Sequence, residues 1–228
     1  MIYPQIENLP LQVDASTWTW SKTEKGKFWI GHERDGTKWL VKGSGSFYAL
    51  RERASAYLLQ TLGINSQSSA FMILPEGSLP VADKPEIERS QLAIRFIDEH
   101  GTNCVDEQFQ KALKILRVMA CLCGANERSE ILFSEDHIMY VVDNEQMFQD
   151  PPDNPITCAD GFEIEYDTMM ELTLDLCRKL SVIDNRDIQV FTAIPDGYVV
   201  NELWPISKLM ESTVDFAKQF LMKYDDVI

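Results

Sequence analysis

Nowhere in the 228 residues is there an apolar run of the about 18 to 20 residues that a membrane-crossing helix needs. The opening Met1-Ile2-Tyr3-Pro4-Gln5 has neither the basic nor the apolar region of a secretory signal. The expectation is a chain that remains in the cytoplasm, where it is made. There is no Cys-x-x-Cys pair to clamp zinc or to cycle as a redox disulfide, and no Gly-x-Ser-x-Gly elbow for hydrolase chemistry. The three histidines, His32, His100 and His137, share no ligand spacing, which removes the other common route to a zinc site. Glycine and proline are at ordinary levels and no tract is compositionally biased, so collagen-like, linker-like and disordered chains are excluded.

Positive charge is also scarce. Against 36 Asp and Glu stand 21 Lys and Arg, a net charge of -15. DNA, RNA and anionic lipid are held by a basic footprint that releases counterions, so direct binding to any of them is not expected. Acidity at this level more often serves solubility than partner choice, and a protein partner with a basic face remains a candidate beside it. The five cysteines, Cys104, Cys121, Cys123, Cys158 and Cys177, are odd in number and irregularly spaced. Free thiols are the expectation, with Cys121 and Cys177 behaving as small buried apolar residues of helices.

What is present is 45% hydrophobic content, enough for one substantial core or two small lobes meeting at a cleft. Strand chemistry marks Trp18-Thr19-Trp20-Ser21 and Lys27-Phe28-Trp29-Ile30, around a turn at Lys25-Gly26. Asp35-Gly36 then punctuates a hairpin into Lys38-Trp39-Leu40-Val41-Lys42. The tryptophans of these strands suit core and cross-strand packing. From Tyr48 to Leu62 the positions Leu50, Ala54, Tyr57, Leu58 and Leu62 predict an amphipathic helix ended by Gly63. Two more strands follow at 69–74 and 91–96. A helix is predicted over 107–122, then a hairpin of Ile131-Leu132-Phe133 and Ile138 to Val142, then helices near 166–180, 185–193 and 204–224. The fold class is therefore α+β, with strands and one helix in residues 1–100 and a mainly helical 101–228 enclosing a hairpin.

Three runs carry a resemblance. The first is Trp39-Leu40-Val41-Lys42 with the helix from Arg51-Glu52-Arg53 to Leu62-Gly63-Ile64. The second is Gly124-Ala125-Asn126-Glu127-Arg128-Ser129-Glu130-Ile131-Leu132-Phe133 followed by Tyr140-Val141-Val142-Asp143-Asn144-Glu145. The third is Ile194-Pro195-Asp196-Gly197-Tyr198 with the helix through Leu209 and Phe216. Together they resemble the HipA-like and phosphoinositide-kinase-like branch of the protein-kinase-like fold, over nearly the whole chain.

The resemblance implies a small two-lobed kinase-like unit, 1–100 and 101–228, that binds ATP and Mg²⁺. Lys42 would neutralise phosphate oxygens and Glu52 would hold Lys42, while Asp143 would carry the metal. Read alone, Lys42 fits a solvated strand end and Glu52 a surface helix position better than a site, and their place in the series of motifs reverses that. The strand at Phe96 and Ile97 would lead into the crossing between lobes, where these two residues would line the nucleotide site with Lys42. Gly43 and Gly45 would offer backbone N–H groups to phosphate, or simply loosen the connection to the helix.

The pattern also breaks. Glu127 stands where the family has its catalytic aspartate, Ser129 replaces a histidine, and the loop is about two residues short, which removes the asparagine for a second metal. Glu130 is the substitute ligand at hand. Phosphoryl transfer depends on positioning, so the expectation is a pseudokinase, or a kinase with weak, altered transfer, that works through a protein partner. The alternatives are an active Ser/Thr kinase with a protein substrate or a small-molecule kinase, and an acidic, non-enzymatic binding or inhibitory protein.

Overall fold

Alternation is clearest in Lys38-Trp39-Leu40-Val41, where Trp39 and Val41 are buried on one side and Leu40 packs on the other. In a computed structural model this segment is the centre of a five-stranded antiparallel sheet. The structure describes residues 12–24, 28–42, 48–75, 90–97, 107–125, 130–133, 138–144, 147–158, 164–200 and 205–224. The strands are β1 (Thr19–Lys22), β2 (Trp29–His32), β3 (Lys38–Val41), β4 (Ser69–Ile73) and β5 (Ser90–Arg95), in the order β1-β2-β3-β5-β4. The β2–β3 turn is closed by Glu33 N–H donating to the Thr37 carbonyl at 2.9 Å and by Thr37 N–H donating to Asp35 Oδ1 at 2.9 Å. The turn expected at Lys25-Gly26 lies outside the described residues.

β4 and β5 are buried on both faces, and β4 accordingly reads as a nearly continuous apolar run rather than an alternating one. One face carries Trp18, Trp39, Val41, Ala70, Met72 and Ala93. There the Trp18 and Trp39 rings stack 5.9 Å apart at 10°. The other face, with Phe71, Leu92 and Ile94, belongs to a larger core that runs on into the C-terminal helices.

Helix α1 (Ala49–Thr61) lies against that second face. The amphipathic expectation is corrected here: every residue from Ala49 to Leu59 is buried, the charged Arg51, Glu52 and Arg53 included. The reason is two-sided packing, since α1 meets β4 and β5 on one flank and a C-terminal helix on the other, where Tyr57 stacks on Phe191 at 6.0 Å. Gly63, at φ 79°, ends the helix as expected, with Ile64 N–H donating back to the Leu59 carbonyl at 2.9 Å.

Arg53 is the most demanding of these residues. Its guanidinium donates to the Ser69 carbonyl and to Tyr57 Oη, and lies over the Tyr57 and Phe71 rings at 4.7 and 5.1 Å. Desolvation holds its pKa below the usual arginine value. Arg53→Ala is expected to cost about 3 kcal/mol, by opening a cavity and leaving the Ser69 carbonyl unpaired. Arg53→Met should cost clearly less, because it keeps the volume and no longer buries a charge. Urea unfolding of both variants measures the difference; equal losses would contradict this account.

The remaining elements are α2 (Glu107–Leu122), the hairpin β6 (Glu130–Phe133) and β7 (Met139–Val142), a 3-10 turn (Pro155–Cys158), α3 (Tyr166–Ser181), α4 (Asn185–Phe191) and α5 (Ile206–Tyr224). Helix α4 stops two residues before the predicted 193. Its last turn ends at Thr192, and Pro195 follows closely enough to disfavour continuation. At its start Asp184 and Asp187 form a reciprocal capping box. Among the described residues, no helix is long and apolar enough to cross a membrane.

Cys121, Cys123 and Cys177 are buried thiols outside any disulfide, in line with the sequence expectation for Cys121 and Cys177. Burial pushes the Cys177 thiol up to about 12 and Cys123 higher still. At pH 8 neither is expected to react with a disulfide reagent in the native protein, and both should react on unfolding. Prompt native-state labelling at either position, located by mass spectrometry, would contradict this packing.

Candidate functional site

A lysine one residue past the end of a strand is normally free to reach water. Lys42 instead turns inward from the end of β3, and its side chain is only 15% exposed. Its Nζ donates to Glu52 Oε1 of α1 at 3.3 Å and to Asp143 Oδ1 at 2.6 Å. Asp143 is 101 residues further along the chain, just after β7. Three of the residues singled out from the sequence therefore meet at one point, where the sheet, α1 and the β6–β7 hairpin converge.

The two carboxylates differ in setting. The Glu52 side chain is 9% exposed and enclosed with α1, whereas that of Asp143 is 46% exposed. Glu52 is thus placed to hold the ammonium from within, and Asp143 retains an open side towards solvent. The surface-position alternative for Glu52 and the solvated-strand-end alternative for Lys42 both give way to this geometry.

Asp143 adopts a left-handed backbone conformation, φ 56°, which aspartate tolerates better than most residues but does not prefer. The turn is pinned on both sides. Val141 N–H donates to the Asn65 carbonyl at 2.8 Å, so the hairpin is bridged to the loop between α1 and β4. Beyond the turn, Phe148 N–H donates to the Cys123 carbonyl at 2.7 Å, tying the chain to the end of α2.

Phe96 and Ile97 are not part of this meeting point. Phe96 N–H donates to the Lys38 carbonyl at 3.0 Å, which sets it at the opposite end of β3 from Lys42, roughly 13 Å away by strand rise. Lys38 Nζ lies 5.7 Å above its ring. Glu130 opens β6 opposite Val142, at the same end of the hairpin as Asp143, with its side chain exposed. Gly43, Gly45 and Glu127 lie outside the described residues.

Sequence reasoning gave no role to Ser66 or Asn144. Asn144 had a signal, since it directly follows Asp143 and an amide beside a candidate ligand is a common orienting group. Ser66, in the short segment after Gly63, had none.

Among the described residues no group of three or more His, Cys, Asp or Glu side chains converges as a metal cage. Mg²⁺ is usually held by one or two carboxylates together with phosphate oxygens and water rather than by a dedicated cage. The half-open carboxylate of Asp143 fits such a role as a hard oxygen donor.

No protein-family model matches the chain, and no curated protein matches it. Among solved structures, it is similar to the crystal structure of a Helicobacter pylori proinflammatory kinase, CtkA, at 10% sequence identity. The match covers 95% of this chain and 96% of that one, with a TM-score of 0.52. At that identity the likeness is one of fold: the chain has a kinase-like α+β fold.

Proposed function

We propose that this kinase-fold chain binds ATP with Mg²⁺ in the cleft where β3, α1 and the β6–β7 hairpin meet. The observation that carries the reading is the contact of Lys42 with both Glu52 and Asp143. A largely enclosed lysine bracketed by two carboxylates from distant parts of the chain is a costly arrangement for stability alone. It is useful for receiving a triphosphate, because phosphate oxygens can take over as partners of Lys42 while Glu52 keeps the ammonium in place.

Lys42 and Phe96 stand roughly 13 Å apart along β3, so a nucleotide bound here would run along the strand. The phosphates would lie at Lys42, and the base would lie towards Phe96 and Ile97. Asp143, with Glu130 as an auxiliary carboxylate, would hold Mg²⁺, which when bound screens the triphosphate charge. Gly43 and Gly45 would contribute backbone N–H groups to the phosphates. We read residues 1–100 and 101–228 as the two lobes of one unit, and its branch as HipA-like on the strength of the three quoted runs.

Transfer is a separate matter from binding. Glu127 supplies a carboxylate in a shortened loop, and we read the chain as a pseudokinase or a slow phosphotransferase that acts through a protein partner in the cytoplasm. A second reading, an active kinase with Glu127 as base, is favoured by the fully formed Lys42–Glu52 pair. Incubation with γ-labelled ATP and a mixed protein substrate separates the two. We expect transfer at least about a thousandfold below ordinary kinase turnover of roughly 1 to 100 per second. Turnover in that ordinary range, lost in Asp143→Ala, would establish the second reading instead.

A further inference from the structure

Asp143 meets Lys42 only if its left-handed turn is held in register with α1, and a small hydrogen-bond relay spans that gap. Gln60 Nε2, near the end of α1, donates to the Ser66 carbonyl at 3.0 Å. Ser66 Oγ donates to the Val141 carbonyl at 2.9 Å and accepts from Asn144 Nδ2 at 3.0 Å. Asn144 Nδ2 also lies 3.4 Å from the Val141 carbonyl. Ser66 and Asn144 are 4% and 2% exposed, so water cannot replace these contacts.

We propose that Ser66 and Asn144 are positioning residues for the nucleotide and metal site, setting Asp143 against Lys42 from the side of α1. The chemistry favours an amide at 144. The Nδ2 group faces two oxygen atoms, Ser66 Oγ and the Val141 carbonyl. Ser66 Oγ spends its single proton on Val141 and can therefore only accept from Asn144. Asn144 Oδ1 is buried without a hydrogen-bond partner among the described residues, so the side chain keeps a desolvated acceptor while it places its donor. With Val142 fixed in the hairpin and Asn144 fixed by Ser66, the peptide units on both sides of Asp143 are held. Its carboxylate is left one narrow range of directions.

The relay also joins the helix that carries Glu52 to the turn that carries Asp143. The two acidic partners of Lys42 are thereby connected through Gln60, Ser66 and Asn144 rather than only through Lys42 itself. This proposal rests on the nucleotide reading for its purpose, though not for its geometry.

The test uses the full chain and the ¹⁵Nζ resonance of Lys42, recorded without nucleotide in wild type, Asp143→Asn, Asn144→Ala and Ser66→Ala. We expect both relay variants to move the Lys42 signal most of the way to its position in Asp143→Asn, and Ser66→Thr, which keeps the hydroxyl, to leave it near wild type. ATP titration of the same proteins should show the Mg²⁺-dependent gain in affinity reduced about tenfold in the relay variants. It should show no further reduction when Asn144→Ala is added to Asp143→Ala. A Lys42 signal unmoved in a folded Ser66→Ala or Asn144→Ala protein would overturn the proposal. If the signal moves but wild type binds no ATP, positioning stands and the nucleotide reading fails.

Discussion

Asp143→Ala is expected to weaken ATP binding about a hundredfold when Mg²⁺ is present, the loss of roughly 3 kcal/mol that a charge-assisted ligand contact is worth. Without Mg²⁺ the same variant should bind ATP no worse than wild type, because a carboxylate beside a triphosphate repels it. Lys42→Ala has a different signature. Its ammonium would contact phosphate oxygens directly, so a loss of similar size is expected with or without the metal. This crossed pattern is stronger than either loss alone, since general unfolding would weaken binding in all four conditions. Circular dichroism on each variant checks that the fold is retained, and one uniform loss in all four conditions would refute the assignment of separate roles.

The second large effect concerns stability. Gly124 caps α2 in a Schellman arrangement, with Ala125 N–H donating to the Ala120 carbonyl at 2.8 Å and Gly124 N–H to the Cys121 carbonyl at 3.2 Å. Its φ is 55°, and a Cβ there would run into the backbone carbonyl of Asp150. The approach is close because the Gly124 carbonyl accepts from both Gln149 and Asp150 N–H groups at 3.1 Å, wrapping the segment after the Asp143 turn around the end of α2.

Gly124→Ala is therefore expected to destabilise by about 4 kcal/mol, left-handed strain plus a backbone clash, and to lower Tm by roughly 10 °C. Gly63→Ala is the matched control. It has the same kind of cap and a φ of 79°, with nothing within 4 Å of the added Cβ, so strain alone, about 1 kcal/mol, should remain. Equal losses at the two glycines, measured by thermal unfolding, would show that the wrap around α2 does not carry the cost.

Much of the fold is legible in the sequence because local chemistry and final environment agree. The β2–β3 hairpin announces itself through Asp35-Gly36, and the helices α2, α3 and α5 through apolar positions on one face. α1 shows where local pattern stops being informative. Its existence is readable, but its environment is apolar on both flanks and charged at Lys42, so Arg51, Glu52 and Arg53 point inward, where periodicity predicts an exposed face. The expected starts of β1 and β2 lie one or two residues early, because the aromatic residues Trp18 and Phe28 precede the first ladder pairs.

The site was legible unevenly. Lys42, Glu52 and Asp143 were singled out through a resemblance, and nothing in composition or spacing connects residues 101 positions apart. The hydrogen bonds of Ser66 and Asn144 depend on how the hairpin seats against the loop after α1. That is a tertiary fact with no sequence period behind it. Phe96 and Ile97 follow β5, and its antiparallel pairing with β3 sets them at the far end of that strand from Lys42, a separation that only the sheet register reveals.

The central claim, that the meeting of Lys42, Glu52 and Asp143 is a nucleotide site, is tested most directly by calorimetric titration of the wild-type chain with ATP, with and without Mg²⁺. The account predicts saturable one-to-one binding that tightens when Mg²⁺ is added. Absence of any heat or saturation at millimolar ATP, in protein shown to be folded, would contradict it.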